Sequence, residues 1–519
     1  MSSASIQISG PNPVFVDSEL VFGLVAPVGT NFNLFQNLLT RQLQQFGYKS
    51  NFIQLSQLAE NFKFDLSAQP EGLSQGASRL HRLMHAGNYL RLQSQRGEFL
   101  ALAAAKQIKE LRPPEAVLLK QAHIVRSLKH PDEVRALRRI YGGGFFLIGV
   151  TVDEDERRRF LRDERGCTID EVDKLLERDE HEEDPRYVDA HGQNYGQRTR
   201  DTFQLADVFI PLDAESKLER FLKLVFGCPF ETPSMDEHAM FLAFGAALRS
   251  GDLSRQVGAV VMSRAGDVVA VGANDVARAG GGLYWPGKDD QRDMIRGEDS
   301  NEVQRDIIVR DVIGRLCPED ANPDIWEERG KKLLKGSPLM DITEYGRATH
   351  AEMEALLSCA RSGISTRGAT LYSSTFPCHN CAKHIIAAGV RRVVYVEPYP
   401  KSQAKALFSD SISIEKWTNE TSTESTNLHL PPAELGGVLP RVRFEHFVGV
   451  GARRFLDLFS IGLSSGINAV RKKGGKQISW SPGKGVVRVP CLPNSYLERE
   501  KLAEVELLAV TTANSEEPK

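Results

Sequence analysis

Two short stretches, His350-Ala351-Glu352 and Pro377-Cys378-His379-Asn380-Cys381, decide how the second half of this chain folds. The imidazole of His350 and the thiolates of Cys378 and Cys381 form a ligand set that suits zinc. Three protein ligands leave the fourth tetrahedral position open to water, whereas a structural zinc site closes it with a fourth Cys or His. The pattern therefore predicts a catalytic Zn2+ site, with Glu352 as the catalytic residue that transfers protons.

The sequence around these stretches predicts an α/β arrangement. Proline is favoured in the first turn of a helix, so a helix is expected to begin near Pro377 and to end at Gly389. Residues 351–360 predict a second helix, and residues 368–374 and 391–396 predict strands. Two helix N-termini are therefore expected to face the metal and to favour the thiolate forms of both cysteines.

Other interpretations exist for each stretch alone. A single Cys-x-x-Cys pair also occurs in structural zinc sites and in thiol redox centres. No second pair of Cys or His residues follows nearby that could close a structural site. The combination of both stretches, in this order and with a strand predicted between them, favours the catalytic interpretation.

Residues 235–400 resemble the deoxycytidylate deaminase branch of the cytidine deaminase superfamily. The resemblance rests on residues 253–261, 272–275, 349–352 and 375–382. It implies a cytidine-deaminase-like three-layer α/β/α domain that removes ammonia from cytosine with zinc and Glu352. It also implies that Asn274 contacts the sugar of a bound nucleotide, although Gly272-Ala273-Asn274-Asp275 is equally suited to a turn.

The N-terminal part begins with a predicted strand at 20–26, a loop at Pro27-Val28-Gly29-Thr30-Asn31 and a helix at 34–46. This order resembles the phosphate-binding loop of P-loop proteins. The loop lacks the lysine and the magnesium-binding Ser or Thr of the full motif, so binding of a nucleoside triphosphate is expected rather than phosphoryl transfer. An ordinary strand, turn and helix remains the alternative. The candidate contacts are Gly23, Pro27, Val28, Gly29, Thr30 and Asn31.

These patterns predict three segments in an α/β protein. Residues 1–228 are expected to form a degenerate P-loop nucleotide-kinase-like domain with a parallel sheet, to which 144–150 and 207–212 contribute strands. Residues 234–410 are expected to form a zinc deaminase domain of the CMP/dCMP type, with an insertion at about 278–346. Residues 411–519 are expected to form a C-terminal extension that packs on the deaminase domain and ends in a disordered tail.

The whole layout resembles the bacterial two-domain deoxycytidine nucleotide deaminases of antiphage defence. The resemblance implies conversion of dCTP, dCMP or both to deoxyuridine nucleotides and ammonia, which would deplete dCTP. It also implies a homo-oligomer and leaves room for a regulatory RNA or a phage-derived trigger as a partner. Within the insertion, we expect phosphate contacts among the basic residues Arg278, Lys288, Arg292, Lys335 and Arg347.

Composition bears on the location and on the substrate. The chain has a formal net charge of -3 and no basic leader with an apolar core, and its seven cysteines are few for its length. These features indicate a cytoplasmic protein without a membrane segment or a disulfide framework. No long basic tract is present, which favours a free deoxycytidine nucleotide as substrate. A polynucleotide cytidine or adenosine deaminase and a nucleotide-sensing regulatory protein are the alternatives.

Overall fold

The computed structural model describes residues 17–62, 72–113, 117–182, 184–316, 330–334, 336–397, 402–415, 441–464, 466–490 and 493–513. The chain divides into two compact units, one formed by Met1–Glu237 with Val448–Lys519 and the other by His238–Phe447. The first unit is therefore built from two separate stretches of sequence. None of the described helices combines the length and the apolar character needed to cross a membrane.

The first stretch of the N-terminal unit alternates strands with helices. Its strands are β1 (Leu20–Val25), β2 (Lys49–Gln54), β3 (Gln121–Arg126), β4 (Phe145–Thr151) and β5 (Val208–Pro211). Its helices are α1 (Phe32–Gln45), α2 (Leu55–Glu60), α3 (Gln75–Ser94), α4 (Phe99–Glu110), α5 (Pro131–Tyr141), α6 (Glu154–Arg159), α7 (Ile169–Glu180), α8 (Thr199–Phe203) and α9 (Glu215–Val225). A π-helical turn, Phe160–Glu164, follows α6.

These five strands form a parallel sheet in the order β5-β4-β1-β3-β2. The central strand β1 is buried along its whole length, as the continuous apolar run of residues 20–25 predicts. The predicted strands at 144–150 and 207–212 correspond to β4 and β5. The expectation of a parallel α/β sheet in this part of the chain is confirmed.

The second unit contains His350-Ala351-Glu352 and Pro377-Cys378-His379-Asn380-Cys381. Its helices are α10 (Met235–Ala247), which begins just before the unit, α11 (Asp293–Arg296), α12 (Ser300–Leu316), α13 (Ala351–Arg361), α14 (His379–Ala387) and α15 (Ala404–Leu407). Its strands are β6 (Gly258–Met262), β7 (Val268–Ala273), β8 (Asp275–Val276), β9 (Ala348–Thr349), β10 (Thr370–Thr375), β11 (Arg392–Glu397), β12 (Ile412–Glu415) and β13 (Val442–His446).

Six of these strands form a mixed sheet in the order β12-β13-β11-β10-β6-β7. Two glycines allow helices to approach it closely. A Cβ on Gly258 would lie 1.9 Å from the carbonyl oxygen of Ala243 in α10, and one on Gly272 would lie 2.1 Å from that of Ala351 in α13. Since Gly272 pairs with Ala259, the neighbour of Gly258, the two glycines face opposite sides of the sheet. Helices therefore cover both faces, as the predicted three layers require.

The chain then returns to the first unit, and this return corrects one expectation. The strand β14 (Gly449–Val450) pairs antiparallel with β5. It is followed by α16 (Ala452–Phe459), a hairpin of β15 (Lys472–Lys473) and β16 (Lys476–Gln477), and α17 (Pro493–Ala513). The helix α17 packs on α4 and α5. Residues 448–513 thus belong to the N-terminal unit, whereas we expected 411–519 to pack on the deaminase domain. An amphipathic helix reveals its apolar face but not which surface covers it. The predicted disordered tail lies outside the described residues.

Candidate active site

The three predicted metal ligands lie at the N-termini of two helices. His350 is the N-cap residue of α13, and Cys378 is the N-cap residue of α14. Cys381 lies in the first turn of α14, where its backbone N–H donates a hydrogen bond to Cys378 Sγ at 3.5 Å. The partial positive charge of both helix ends favours a thiolate at this point. The sequence expectation of two helix N-termini facing one site is therefore met.

The separations of the ligand atoms suit zinc. His350 Nδ1 lies 3.3 Å from Cys378 Sγ and 3.3 Å from Cys381 Sγ. Tetrahedral zinc with usual Zn–S and Zn–N distances places such atoms about 3.5 Å apart. Among the described residues, this trio is the group of His, Cys, Asp and Glu side chains whose ligand atoms converge in this way, within 4.8 Å of one another. One imidazole and two thiolates would hold the metal and leave its fourth position open.

The close approach of the three candidate ligand side chains shifts their pKa values. A hydrogen bond with Cys381, followed by the contact with His350, lowers the pKa of Cys378 well below that of an ordinary thiol. The hydrogen bond with Cys378 raises the pKa of His350 to about 9. Cys378 is therefore the thiolate that forms most readily in this cluster. The proximity of His350 favours the negative charge of Cys378, as a metal cation would.

Glu352 lies beside the cluster, on the first turn of α13, and is 3% exposed. Its Oε1 accepts a hydrogen bond from Ser373 Oγ at 3.0 Å, and its Oε2 accepts one from Cys381 Sγ at 3.5 Å. Burial raises the pKa of this carboxyl, which makes it a better proton acceptor than an exposed glutamate. Ser373 was not predicted as a site residue, although a polar residue within the largely buried strand β10 was a signal for it.

A cavity of about 230 Å³ opens onto His350, Cys378 and Glu352. Its walls include Leu253 and Phe376, which provide apolar surface for a ring. Polar residues also line the cavity, namely the charged Asp252, Arg255, Asp293, Asp299 and Arg347 and the neutral Asn274. Such a cavity, mostly apolar with a few polar groups beside a metal site, is typical of a site for a small substrate.

Asn274 lines this cavity, but its amide already has protein partners. Its Oδ1 accepts a hydrogen bond from the backbone N–H of Val257 at 2.6 Å, and its Nδ2 donates to the carbonyl oxygen of Arg255 at 2.7 Å. Asn274 therefore fixes the loop that leads into β6. A sugar contact by this residue would use the remaining hydrogen-bonding capacity of the amide, and it stays a prediction.

The basic residues expected to bind phosphate separate into distinct groups. Arg347 lines the cavity and forms an ion pair with Asp293 at 2.5 Å. Arg292 is buried and pairs with Asp290 at 2.6 Å, while Arg278 and Lys288 are exposed and do not line the cavity. Lys335 lies outside the described residues. Arg255 also lines the cavity, and sequence reasoning missed it because it lies 23 positions before the insertion.

The predicted phosphate loop of the N-terminal unit has a different environment from the expected one. The backbone N–H of Val28 donates to Asp179 Oδ2 at 2.8 Å, and Thr30 Oγ1 donates to the carbonyl oxygen of Pro27 at 2.7 Å. Asn31 caps α1 with its side chain. The carboxylate of Asp179 in α7 thus already accepts a hydrogen bond from a loop N–H group that we expected to bind phosphate.

Gly29 and Gly23, two of the predicted ligand contacts, both have close neighbours in the fold. Gly29 has a φ of +87°, and a Cβ there would lie 2.8 Å from the carbonyl oxygen of Arg157, so only glycine suits this position. Gly23 lies inside β1, where a Cβ would lie 2.7 Å from the side chain of Leu128. Gly23 therefore serves close packing within the sheet, and its role as a ligand contact stays a prediction.

A lysine lies beside the loop although the loop sequence contains none. Lys129, which follows β3, forms an ion pair with Asp179 at 2.7 Å and donates to the carbonyl oxygen of Ala26 at 2.8 Å. Nothing in the local sequence could place Lys129 here, because it is about a hundred residues from the loop. Its charge is balanced by Asp179.

Comparison with known proteins identifies the second unit. Residues 233–397 match the model of the cytidine and deoxycytidylate deaminase zinc-binding region. ComE operon protein 2 of Bacillus subtilis (strain 168) is 47% identical over 80 residues, which are 15% of this chain and 42% of that protein. A probable deoxycytidylate deaminase of Drosophila melanogaster is 27% identical over 184 residues, 35% of this chain and 70% of that protein.

Among solved structures, the dCMP deaminase of cyanophage S-TIM5 in complex with dCMP and dUMP is similar at 21% identity and a TM-score of 0.21, covering 34% of this chain and 93% of that one. The chain spans less than half the length of the Bacillus relative. The family match confirms the expected zinc-binding deaminase domain in this part of the chain.

Proposed function

We propose that this protein deaminates deoxycytidine nucleotides, dCTP, dCMP or both, to deoxyuridine nucleotides and ammonia by hydrolysis. One observation carries the proposal: the ligand atoms of His350, Cys378 and Cys381 converge next to the buried carboxyl of Glu352, at the wall of a cavity with apolar surface. This arrangement lies within the region that matches the deaminase family. It supports hydrolysis rather than a structural role for the metal.

The chemistry divides between the metal and the chain. Zinc held by the three ligands would supply an activated water at neutral pH. Glu352 takes the two protons of the attacking water in turn at Oε2, the oxygen nearer the cluster, and delivers the first to the base nitrogen and the second to the leaving amine. Ser373 holds the other oxygen of Glu352 through its hydroxyl group. Leu253 and Phe376 exclude water from the face of the base.

Free nucleotides are the proposed substrates because the cavity has few basic residues. Arg255 and Arg347 are its cationic lining residues, and Asp252, Asp293 and Asp299 also face it. A polynucleotide deaminase needs a positively charged groove that follows the nucleic acid backbone. We assign the phosphate contacts to Arg255 and Arg347, which pair with Glu397 and Asp293 and would exchange these partners for the phosphate of a bound nucleotide.

The remaining parts of the proposal rest on resemblance. We propose that the N-terminal unit is a degenerate P-loop nucleotide-kinase-like domain that binds a nucleoside triphosphate, and that the chain forms a homo-oligomer. We propose a cytoplasmic role in antiphage defence, in which dCTP is depleted after a regulatory RNA or a phage-derived trigger acts. The parallel order β5-β4-β1-β3-β2 supports the nucleotide-binding part, because such sheets bind ligands at the carboxyl ends of their strands.

The experiment compares zinc-loaded protein with two variants of similar shape. Ammonia and uracil nucleotide are measured with dCMP, dCTP, CTP and a cytosine-containing oligonucleotide, each with and without ATP. We expect turnover of dCMP or dCTP, and a loss of at least about a hundredfold in Glu352→Gln, because a general acid and base contributes that much. Zinc content should be unchanged in this variant.

Glu354→Gln is the matched control. Glu354 lies on the same turn of α13, but its carboxyl pairs with Arg361 at 2.6 Å and does not line the cavity. We expect its ammonia production to stay within about twofold of the unmodified protein. Full activity in Glu352→Gln, or turnover of the oligonucleotide alone, would contradict the proposal.

A further inference from the structure

The N-terminal unit contains a second cavity, about 780 Å³ in volume, which we call the N-terminal cavity. It is lined by residues that closely follow β1, β2 and β3, including Pro27, Leu55 and Ser127. The carboxyl ends of neighbouring parallel strands are the usual place for a ligand in an open α/β sheet. Its volume lies within the range of about 300–1,000 Å³ that holds small molecules and cofactors.

Arg126, at the end of β3, contributes a cation to this cavity that is held by neutral groups. Its guanidinium donates to Asn33 Oδ1 at 2.9 Å, to Gln36 Oε1 at 3.0 Å and to Gln54 Oε1. Within the part of the chain that the structure describes, no carboxylate forms an ion pair with it. Three amide oxygens therefore fix the orientation of the guanidinium without balancing its charge.

A second guanidinium reinforces this positive charge. Arg165 lines the same cavity, and its guanidinium lies 5.2 Å from the centre of the Phe160 ring. Burial, followed by the charge of Arg165, lowers the pKa of Arg126, so the two groups repel each other. Bringing like charges together in a cavity wall is unfavourable unless an anion binds between them.

The other charged groups at this site do not balance the positive charge of Arg126 and Arg165. Lys129 is paired with Asp179, and Arg91 is paired with Glu133 at 3.0 Å. Glu164 also lines the cavity and is exposed, but it forms no ion pair with Arg126 or Arg165 among the described contacts. The cavity therefore presents the guanidinium of Arg126, which three amide oxygens hold, together with the exposed guanidinium groups of Arg165 and Arg79, and this set suits a phosphate.

Part of the lining of the cavity is apolar. Leu80, Leu83, Met84 and Leu100 contribute this surface, and Phe160 contributes to it beside Arg165. A flat ring buries favourably against such side chains, at about 25 cal/mol for each Å² of apolar area removed from water. The combination of apolar wall and paired guanidinium groups fits a molecule that has both a ring and phosphate groups.

We propose that the N-terminal cavity binds a phosphorylated ligand of nucleotide size, with its phosphate groups on Arg126 and Arg165 and its ring on the wall formed by Leu80, Leu83, Met84 and Leu100. The proposal rests on nucleotide binding by the N-terminal unit, and it moves the phosphate contacts away from residues 27–31. The loop N–H of Val28 is already bonded to Asp179, whereas the two arginines lack a counterion among the described residues.

The test is titration calorimetry of the full chain with ATP and, separately, with inorganic tripolyphosphate. We expect ATP to bind more tightly than tripolyphosphate, because only ATP has a ring for the apolar wall. Arg126→Gln and Arg165→Gln should each weaken ATP binding by about tenfold or more, since each removes a charge-assisted hydrogen bond. Equal affinity for the two probes would overturn the ring contact.

Arg162→Gln is the matched control, because Arg162 precedes Arg165 by one turn, pairs with Asp163 at 3.2 Å and does not line the cavity. It should bind ATP within about twofold of the unmodified protein. Arg165 is exposed, so its variant should fold even if the Arg126 variant does not. Absence of ATP binding by the unmodified chain, or unchanged binding in Arg165→Gln, would overturn the proposal. Ammonia release in the same samples tests the deaminase separately.

Discussion

Ser373 Oγ lies 3.0 Å from Glu352 Oε1 and donates a hydrogen bond to it, so a strand residue fixes the carboxyl group that is proposed to move protons. Both side chains are buried, Ser373 completely. A hydrogen bond in such surroundings restricts the carboxyl to one orientation. The relationship joins β10 to the first turn of α13.

Removal of the Ser373 hydroxyl should slow catalysis more than substrate binding. In Ser373→Ala, we expect kcat to fall roughly five- to tenfold and KM to stay within about twofold, the effect of losing one buried hydrogen bond to a positioned carboxylate. The measurement is steady-state ammonia release with dCMP or dCTP. Ser374→Ala is the control, because Ser374 Oγ accepts from the backbone N–H of Gly258 and does not contact Glu352. An unchanged kcat in Ser373→Ala would refute the positioning role.

The metal site predicts zinc content directly. Purified protein should contain about one zinc ion per chain, and Cys378→Ala or His350→Ala should lower this to a small fraction, because two ligands rarely retain zinc. Mass spectrometry of the metal measures the number of zinc ions per chain. Cys359→Ala is the control, since Cys359 is a buried thiol on α13 that does not belong to the ligand group. Zinc affinity should also fall as pH is lowered, because protons compete for the thiolates and the imidazole.

Gly272 controls how closely α13 approaches the sheet. In Gly272→Ala, the new methyl group would lie 2.1 Å from Ala351 O and 2.6 Å from Ala355 N, so α13 must move outward. We expect a loss of about 1–3 kcal/mol in the free energy of unfolding, together with lower zinc content. Thermal unfolding and metal analysis measure the two effects.

Gly245→Ala is the matched control for this substitution. A Cβ there meets nothing within 4 Å, and the residue lies inside α10. The change should stabilise the protein by about 0.5–1 kcal/mol, because alanine loses less conformational entropy than glycine in a helix. Equal stability of the two variants would show that the close approach at Gly272 has no effect.

The C-terminal helix should stabilise the N-terminal unit. Arg112 Nη2 donates to Glu500 Oε1 at 2.9 Å, and both side chains are buried. Glu500→Gln leaves part of the arginine charge without a partner and should cost about 3 kcal/mol in urea denaturation. Glu498→Gln, which removes an exposed pair with Lys501, should change stability by less than about 1 kcal/mol. Equal losses in both variants would contradict the buried role of Glu500.

Some features of the fold and of the site follow from local sequence, and others do not. His350, Glu352, Cys378 and Cys381 could be chosen as candidates because three potential metal ligands and an adjacent carboxylate occur in short motifs next to helix starts. The strands β1, β4 and β5 could be found because apolar runs are visible in a single segment. Such signals depend only on neighbours along the chain.

Contacts between distant segments gave no such signal. Val28 and Asp179 are 151 positions apart, and no local pattern indicates that a carboxylate from α7 reaches the loop. The same reason explains why the place of α17 was not predicted. A sequence indicates which side of an element is apolar, while its partner depends on the tertiary arrangement of the whole chain.

The chain leaves the N-terminal unit after Glu237 and re-enters it at Val448, and the two crossing points are adjacent. Val450 N donates to Glu237 Oε1 at 2.8 Å, while Arg220 pairs with the same carboxylate at 2.8 Å. The second unit is thus inserted into the sequence of the first, between Glu237 and Val448. Replacement of residues 238–447 by a short peptide should join the two stretches of the first unit directly. At this junction the two units should therefore be open to separation, exchange or circular permutation.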